Sequence, residues 1–154
     1  MYKRPGWLVR NLANPALNFV VNRLGLGIRG AHVLAVRGRS SGDWRTVPVY
    51  PLDHGGARYL VAPRGETAWV RNLRASGEGE LRRGSRTERF RAEELADIDK
   101  PPIIHAYLER WQMETKNLFG VGADATPKEL TRIAPNHPVF RLLPASETAP
   151  PLPR

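Results

Sequence analysis

The chain has 154 residues and a formal net charge of +9 at pH 7, which fits one domain and favours an anionic partner. It has no cysteine, which excludes disulfides, thiolate nucleophiles and cysteine metal sites, and the spacing of its four histidines forms no metal-ligand pattern, so no metal is expected. No apolar run approaches the roughly 20 residues that span a bilayer, and no signal sequence is evident, so we expect a cytoplasmic protein.

The first 30 residues form a separate basic segment. Apolar residues recur at helical spacing from Leu8 to Leu24, and seven basic residues but no acidic one precede Asp43. The pattern predicts an amphipathic helix with two interpretations. It packs on the core of its own domain, or it makes peripheral contact with an anionic membrane surface.

Three β-prone segments joined by turns of small residues follow. They occupy residues 31–38, 45–52 and 58–63, and the turns occupy residues 40–43 and 53–56. A short helix is then predicted between Thr67, a preferred N-cap residue, and Gly77, a typical helix stop. Two further strands, at residues 79–83 and 87–93, flank a turn and alternate in polarity, which indicates an outward-facing hairpin.

The last third of the chain predicts two helices and a closing strand. One helix opens at Pro101-Pro102, and its apolar residues share one face. A second, from Thr126 to Ile133, begins with a capping box that Glu129 completes. Residues 138–143 have the pattern of a strand.

Six short strands linked mostly by hairpins, with two or three helices, predict a mainly β protein with helices (α+β). The arrangement is an antiparallel β-barrel whose openings the helices cover. The early connections are too short for the crossover helices of a parallel nucleotide-binding fold. We predict three parts: a helical segment at 1–30, a barrel domain at 31–143 and a flexible proline-rich tail at 144–154.

The turn in GRSSGDWRTVPVYPL, residues 38–52, concentrates positive charge. Arg39 and Arg45 stand at its two ends, and the small residues between them offer hydroxyls and a glycine that permits close backbone approach. Two guanidinium groups placed in this way can bind one phosphate. The alternative is a pair of arginines that are solvated at a hairpin tip.

Pro48 and Pro51 indicate that the strand after this turn lacks a complete partner strand, because proline cannot donate to a sheet ladder. A heterocycle could use the free main-chain groups there, or the prolines simply protect an edge. A second basic corner follows at Arg64-Gly65, just before a helix N-terminus that is a candidate anion site, although Glu66 opposes an anion. Trp69 fits either stacking on a ring or packing in the core.

Two motifs together, GRSSGDWRTVPVY at 38–50 and YLVAPRGETAWVRNLRASGEGELRRG at 59–84, closely resemble the deazaflavin-dependent nitroreductase family. The resemblance is strong over residues 38–94, weaker to residue 143 and loose before residue 31. It implies an FMN-binding-like split β-barrel, and coenzyme F420, an 8-hydroxy-5-deazaflavin, as cofactor, with FMN as the less favoured alternative.

The resemblance also implies site residues. The cofactor's phosphate and oligoglutamate tail would be held by Arg39, Ser40, Ser41 and Arg45, with support from Arg64. The deazaflavin would lie beside Thr46, Val47, Pro48, Val49 and Tyr50, and the pocket would be completed by Val61, Ala62, Pro63, Ala68, Trp69, Val70, Arg71 and Asn72. A substrate pocket would be lined by Tyr107, Trp111, Lys116 and Phe119. Many relatives have lysine where this chain has Ser40, which predicts a weaker phosphate contact.

The implied reaction is hydride transfer from the reduced deazaflavin to a small-molecule acceptor such as a quinone, an activated alkene or a nitroaromatic. It requires no catalytic residue, since the cofactor carries the chemistry and the protein positions it. A cofactor carrier without turnover would have the same contacts. A nucleic-acid-binding barrel with Trp44, Tyr50 and Trp69 as stacking platforms is the disfavoured alternative, so no nucleic acid is expected. Neither the physiological acceptor nor the oligomeric state follows from the residues.

Overall fold

The structure, a computed structural model, describes residues 31–111 and 118–145. The predicted N-terminal helix, Lys116 and residues 146–154 of the predicted tail lie outside these ranges. The described chain is built around one sheet of seven strands: β1 (His32–Arg37), β2 (Trp44–Val49), β3 (Leu52–His54), β4 (Ala57–Val61), β5 (Glu78–Arg83), β6 (Arg86–Glu94) and β7 (Val139–Pro144).

The strand order is β2-β1-β5-β6-β7-β4-β3, and every neighbouring pair is antiparallel. Hairpins join β1 to β2, β3 to β4, and β5 to β6. The closing strand β7 pairs with both β6 and β4, so it connects the two halves of the sheet. The prediction of an antiparallel, hairpin-linked sheet is confirmed.

The count of six strands is wrong by one. Residues 53–56 were predicted as a turn, but Leu52–His54 forms a strand that pairs with β4. The turn is only Gly55-Gly56, whose φ angles of 59° and 82° are both positive. Two such glycines permit a two-residue hairpin connection, so the strands extend up to it on both sides.

The prediction that Pro48 lies in an edge strand is confirmed. It belongs to β2, which has β1 as its sole neighbour in the described sheet, and its side chain is exposed opposite Val33. At this edge a missing N–H leaves no ladder bond unmade.

Three helices of the described residues cover the sheet: α1 (Ala68–Ser76), α2 (Pro101–Arg110) and α3 (Pro127–Ile133). Helix α1 ends at Gly77, whose φ of 76° suits glycine, and α3 begins with the predicted capping box of Thr126 and Glu129. Single-turn 3₁₀ helices precede α2 at Asp97–Asp99 and follow α3 at Ala134–Asn136. None of the described helices is long and apolar enough to cross a bilayer.

The sheet has a hydrophobic cluster on each side. One cluster packs α1 against Leu34, Leu60, Phe90 and Phe140, and the other packs α2 and α3 against Val139. Strand β1 has four consecutive buried residues, 33–36, rather than alternating ones: Leu34 and Val36 join the cluster of α1, and Val33 packs with Ala31 and Tyr50 on the other face. Each fully buried large aliphatic side chain contributes about 1.5–3 kcal/mol. The packing of α1 on the sheet therefore stabilises the positions of the loops at their ends.

Candidate functional site

A cavity of about 430 Å³ lies where the turn between β1 and β2 meets the N-terminus of α1. The turn end contributes Gly38, Arg39, Ser40, Ser41 and Arg45. The helix end contributes Thr67, Ala68, Trp69 and Asn72, and the strands contribute Val36, Thr46 and Val47. Two segments that the sequence singled out separately, the basic turn and the start of the helix, thus form one site.

Backbone hydrogen bonds fix the turn. The N–H of Gly38 donates to Asp43 O at 2.7 Å, and the N–H of Gly42 donates to Gly38 O at 2.8 Å. Gly42 has a φ of 79°, which favours glycine. A Cβ at Gly38 would lie 3.1 Å from Ser41 Oγ and 3.2 Å from Arg45 Nε, so the absence of a side chain there lets Arg45 lie across the turn.

Arg39 is held by Asn72 of α1. The Oδ1 atom of Asn72 accepts hydrogen bonds from the Arg39 backbone N–H at 3.0 Å and from Arg39 Nη1 at 2.7 Å. Asn72 is only 5% exposed, so this is an anchor from the interior of the protein. Because the amide is neutral, it orients the guanidinium group without cancelling its charge.

Arg45 also has a neutral neighbour. Its Nη2 lies 3.5 Å from Ser41 Oγ, which in turn accepts a hydrogen bond from the Asp43 N–H at 3.1 Å. Within residues 31–111 and 118–145, no acidic group forms an ion pair with Arg39 or Arg45. The cavity therefore carries two uncompensated positive charges, which suits a phosphate or carboxylate ligand.

The N-terminus of α1 opens onto the same cavity. Thr67 occupies the N-cap position, but its side chain accepts no bond from the helix. Its Oγ1 is buried and has no hydrogen-bond partner in the described part of the chain. The first backbone N–H groups of a helix lack intrahelical acceptors and lie at the positive end of its dipole. Unused hydrogen-bonding capacity is thus concentrated in this wall.

Glu66 was expected to oppose an anion here, but Arg74 binds it. The two Glu66 carboxylate oxygens accept bonds from Arg74 at 3.1 and 2.9 Å, and Arg74 also binds Glu94 at 2.7 Å. The hydrogen bonds from Arg74 lower the pKa of Glu66, and the two carboxylates raise the pKa of Arg74. Arg74 thus shares its one positive charge between the carboxylates of Glu66 and Glu94, so it offsets the charge of Glu66 only in part.

The remaining wall is apolar. Trp69 is half-buried, with its ring 6.1 Å from that of Phe140, and it lines the cavity together with Val47. Trp69 packs on the core, as one interpretation of the sequence predicts, and also offers surface to the cavity, so its stacking on a ring stays a prediction. The site combines a cationic turn, a helix N-terminus and an apolar face.

The structure brings together about half of the predicted cofactor residues. Those on the cavity are Arg39, Ser40, Ser41, Arg45, Thr46, Val47, Ala68, Trp69 and Asn72. Those that do not line it are Pro48, Val49, Tyr50, Val61, Ala62, Pro63, Arg64, Val70 and Arg71. Several of the latter belong to the core, because strand and helix periodicity directs every second or third side chain away from the cavity.

Val36, Gly38 and Thr67 line the cavity but were not predicted as site residues. Thr67 had a signal in the sequence, since an N-cap residue next to a basic corner marks a helix N-terminus. Val36 had no signal of its own, because an apolar residue in a strand looks the same whether it faces core or ligand.

The residues predicted for a substrate pocket form an aromatic cluster in the other core. Tyr107 lies 4.9 Å from Trp111 and 5.9 Å from Phe119 between ring centroids, and each of the three is at most 4% exposed. Tyr50 stacks on Trp111 at 5.5 Å. Their role in substrate binding stays a prediction, and Lys116 is outside the described residues.

Several solved structures share the fold. An F420-H2 dependent reductase (FDR-A) matches with a TM-score of 0.53 at 19% identity, over 75% of this chain and 95% of that one. A domain-swapped dimer matches with a TM-score of 0.53 at 18% identity, over 90% and 99%. A conserved hypothetical protein, Rv2991 from Mycobacterium tuberculosis, matches with a TM-score of 0.52 at 15% identity, over 77% and 75%. The predicted split β-barrel fold is confirmed.

A protein-family comparison identifies the chain more closely. No curated protein matches the sequence. The model of the family described as F420H(2)-dependent quinone reductase matches residues 8–126, a span that includes the whole cavity and both motifs that carried the resemblance. The chain belongs to the F420H2-dependent quinone reductase family.

Proposed function

We propose that this protein binds coenzyme F420 in the cavity between the β1–β2 turn and α1, and reduces a small electrophilic acceptor such as a quinone, an activated alkene or a nitroaromatic. The observation that carries the proposal is the pair Arg39 and Arg45, which face one cavity without acidic partners among the described residues. The chain's family supplies the identity of the cofactor.

The residues present fit such a ligand. An anionic phosphate and glutamate tail requires cations, and the turn provides two. A ring that carries carbonyl and N–H groups requires hydrogen-bond partners, and the buried Thr67 Oγ1 has none in the described structure. A flat ring also requires apolar surface, which Val47 and Trp69 provide.

Each part of the site would have a defined task. When bound, the reduced cofactor supplies a hydride. Arg39 and Arg45 hold its anionic tail, and the orientation that Asn72 gives Arg39 reduces the entropy lost on binding. Val47 and Trp69 exclude water from one side of the ring and fix its position for transfer. Among the described residues, the cavity lining contains no carboxylic acid, histidine or tyrosine, so we assign the proton for the reduced acceptor to solvent.

A stopped-flow experiment tests the proposal and separates an enzyme from a carrier. Reduced F420 is mixed with a short-chain quinone, with and without the protein, and loss of reduced cofactor is followed by absorbance. We expect the protein to accelerate the oxidation, with a rate that saturates as acceptor concentration rises. Arg45→Ala should lower this rate. Tight binding of the cofactor with an oxidation rate equal to that of free cofactor would instead identify a carrier.

We further propose, from the sequence, a cytoplasmic protein whose basic residues 1–30 contact an anionic membrane peripherally, where lipophilic acceptors reside. Co-sedimentation of the full chain with phosphatidylglycerol vesicles tests this. Replacing Lys3, Arg4 and Arg10 by glutamine should reduce binding, and an unchanged bound fraction would remove the idea.

A further inference from the structure

A second group of arginines surrounds the opposite end of the sheet. The pairing of Val33 with Arg82 and of Ala35 with Glu80 shows that β5 runs towards the His32 end of β1, away from the β1–β2 turn. Strand β1 has six residues, so the two ends are about 17 Å apart. The β5–β6 hairpin reverses there at Gly84, with a φ of 60°.

Two adjoining cavities lie at this end. Their volumes are about 360 and 400 Å³, and both are lined by Arg58, Leu81 and Glu88. Arg89 and Arg141 line the first, and Arg83 and Arg86 line the second. We call this region the hairpin mouth. Its apolar floor includes Leu81, and neither cavity shares a residue with the cavity at the β1–β2 turn.

Ion pairing divides the arginines of β4 to β7 into two sets. Arg58, Arg82 and Arg91 each contact an acidic side chain, at 2.8, 2.9 and 3.5 Å respectively. Within the described ranges, the remaining arginines of these strands have no such contact, and all of them line the hairpin mouth: Arg83, Arg86, Arg89 and Arg141. Arg83 and Arg86 lie on the same face of the sheet as Leu81, whereas Arg89 and Arg141 lie on the other face, directly across from Glu80 and Glu93. Among the described arginines of these strands, those with neither an ion pair nor an acidic cross-strand partner are therefore Arg83 and Arg86.

The acidic residue of the mouth is already engaged. Glu88 Oε1 accepts a hydrogen bond from Arg58 Nη1 at 3.0 Å, and Arg58 also binds Asp53 at 2.8 Å. The hydrogen bond to Asp53 is the main cause of the raised pKa of Arg58. Glu88 is therefore paired with Arg58 and forms no ion pair with Arg83 or Arg86 among the described residues.

Arg83 and Arg86 also oppose one another across the hairpin. They are direct cross-strand partners in the antiparallel register of β5 and β6. Like charges in this position destabilise a hairpin, whereas opposite charges stabilise it. An anion between the two guanidinium groups would convert this repulsion into attraction, since each group can donate a pair of hydrogen bonds.

We propose that the hairpin mouth is a second anion site, which binds a phosphate dianion carried by a small organic molecule or by a lipid headgroup. Arg83 and Arg86 together carry two positive charges, which match a doubly charged group. The two cavities have the size of small-molecule sites, and the apolar floor accommodates the organic part of the ligand. The site is independent of coenzyme binding at the opposite end of the sheet.

An NMR titration of the full chain tests the proposal, with inorganic pyrophosphate as the probe and constant ionic strength. We expect saturable shifts of the Gly84 and Ser85 amide signals, lost in the variant Arg83→Gln/Arg86→Gln. The control Arg91→Gln removes a hairpin arginine that is paired with Glu93 and lines neither cavity, and it should retain the shifts. An Arg45→Ala variant should retain them too, which separates this site from the other end.

Thermal unfolding provides a second readout. In phosphate-free buffer, the Arg83→Gln/Arg86→Gln variant should be at least as stable as the wild type, because repulsion is removed. Pyrophosphate at 100 times its Kd should raise the wild-type Tm by about 5 to 10 °C, and the rise should fall to less than half in the variant. An equal rise in both proteins would overturn the proposal.

Vesicles distinguish the two sources of phosphate. If wild type co-sediments with phosphatidylglycerol vesicles more strongly than Arg83→Gln/Arg86→Gln does, the ligand is a lipid headgroup. If the substitutions abolish pyrophosphate binding and leave vesicle binding unchanged, the ligand is a soluble phosphate. If the substitutions change neither pyrophosphate binding nor vesicle binding, the hairpin mouth is not an anion site. The same conclusion follows if the wild type shows no pyrophosphate-induced shifts at Gly84 and Ser85 and binds no vesicles.

Discussion

Both ends of the sheet present arginines, but the two ends differ in the described hydrogen bonds that hold those arginines. At the β1–β2 turn, Arg39 and Arg45 rest against the neutral side chains of Asn72 and Ser41, which orient them and leave their charge intact. At the hairpin mouth, Arg83 and Arg86 face one another with no described polar group to hold them. The turn is a preorganised site, whereas the hairpin mouth is a concentration of charge that a ligand would order.

The difference between the two ends shows that net positive charge alone does not make a preorganised binding site. Its net charge of +9 attracts anions in general, but a binding site requires groups held in position before the ligand arrives. Much of the remaining cationic surface is offset by local pairs, as Arg74 shows with Glu66 and Glu94. Variants that each change one element of the turn test whether its arginines are held in position before the ligand binds.

Arg45→Ala should have the largest effect. It removes one of the two charged contacts that we propose for the cofactor's tail, and we expect the Kd for F420 to rise about 30-fold. Fluorescence titration measures this. Arg132→Ala, an exposed arginine of α3 away from the cavity, is the matched control and should leave the Kd unchanged. An equal loss in both variants would show that net charge, not the turn, governs binding.

Asn72→Ala should raise the Kd by about tenfold, because Arg39 loses its anchor and pays more entropy on binding. The effect depends on Arg39, so in an Arg39→Ala background the same change should cost little more. Titration of both single variants and the double variant measures the coupling. Additive losses would mean that Asn72 acts without Arg39 and that the turn is no better prepared than the hairpin mouth.

Thr67→Val should separate stability from binding. The substitution removes a buried hydroxyl that lacks a partner in the described structure. The free energy of unfolding should therefore be unchanged or about 1 kcal/mol higher. Cofactor affinity should fall about fivefold, since the hydroxyl is then absent from the cavity wall. Thermal unfolding and fluorescence titration give the two values. A loss of stability with unchanged affinity would assign Thr67 a purely structural role.

The smallest effect concerns pH and the support of the loop before α1. His137 Nδ1 lies 3.0 Å from Ala62 O, and burial, together with the nearby charge of Lys100, lowers the pKa of His137. Below pH about 6.5 the unfolded chain therefore takes up the proton more readily than the folded one. The free energy of unfolding should be highest above that pH. It should decrease as the pH falls towards the lowered pKa that His137 has in the folded protein.

Melting temperatures at pH 7.5 and pH 5 measure this effect, and His137→Gln should lose part of the pH dependence. His54, which is exposed, provides the control, since His54→Gln should behave as the wild type does. An identical pH dependence in His137→Gln would show that other groups cause it.

Local patterns predicted much of the fold. The capping box at Thr126, the stop at Gly77 and Pro48 in the edge strand each depend on a residue's own backbone chemistry, and the structure has all three features. The strand Leu52–His54 was missed because three residues carry too little periodicity. Its existence depends on pairing with β4 and on the tight turn at Gly55-Gly56.

The site was less predictable, because its contacts span the chain. Arg39 and Asn72 are separated by 33 positions, and nothing local in either segment indicates that one amide holds both the backbone and the side chain of the arginine. The pairing of Arg74 with Glu66 and Glu94, which reduces the objection to an anion near α1, likewise depends on the folded chain. The basic turn and the start of α1 were visible in the sequence, but their convergence on one cavity was not.

The central claim is that the cavity at the β1–β2 turn is a site for coenzyme F420. The most direct test is an equilibrium fluorescence titration of the wild-type protein with oxidised F420, in parallel with FMN. We predict saturable binding of F420 at one site per chain, with affinity at least tenfold higher than for FMN. Failure of F420 to bind, or tighter binding of FMN, would contradict the claim.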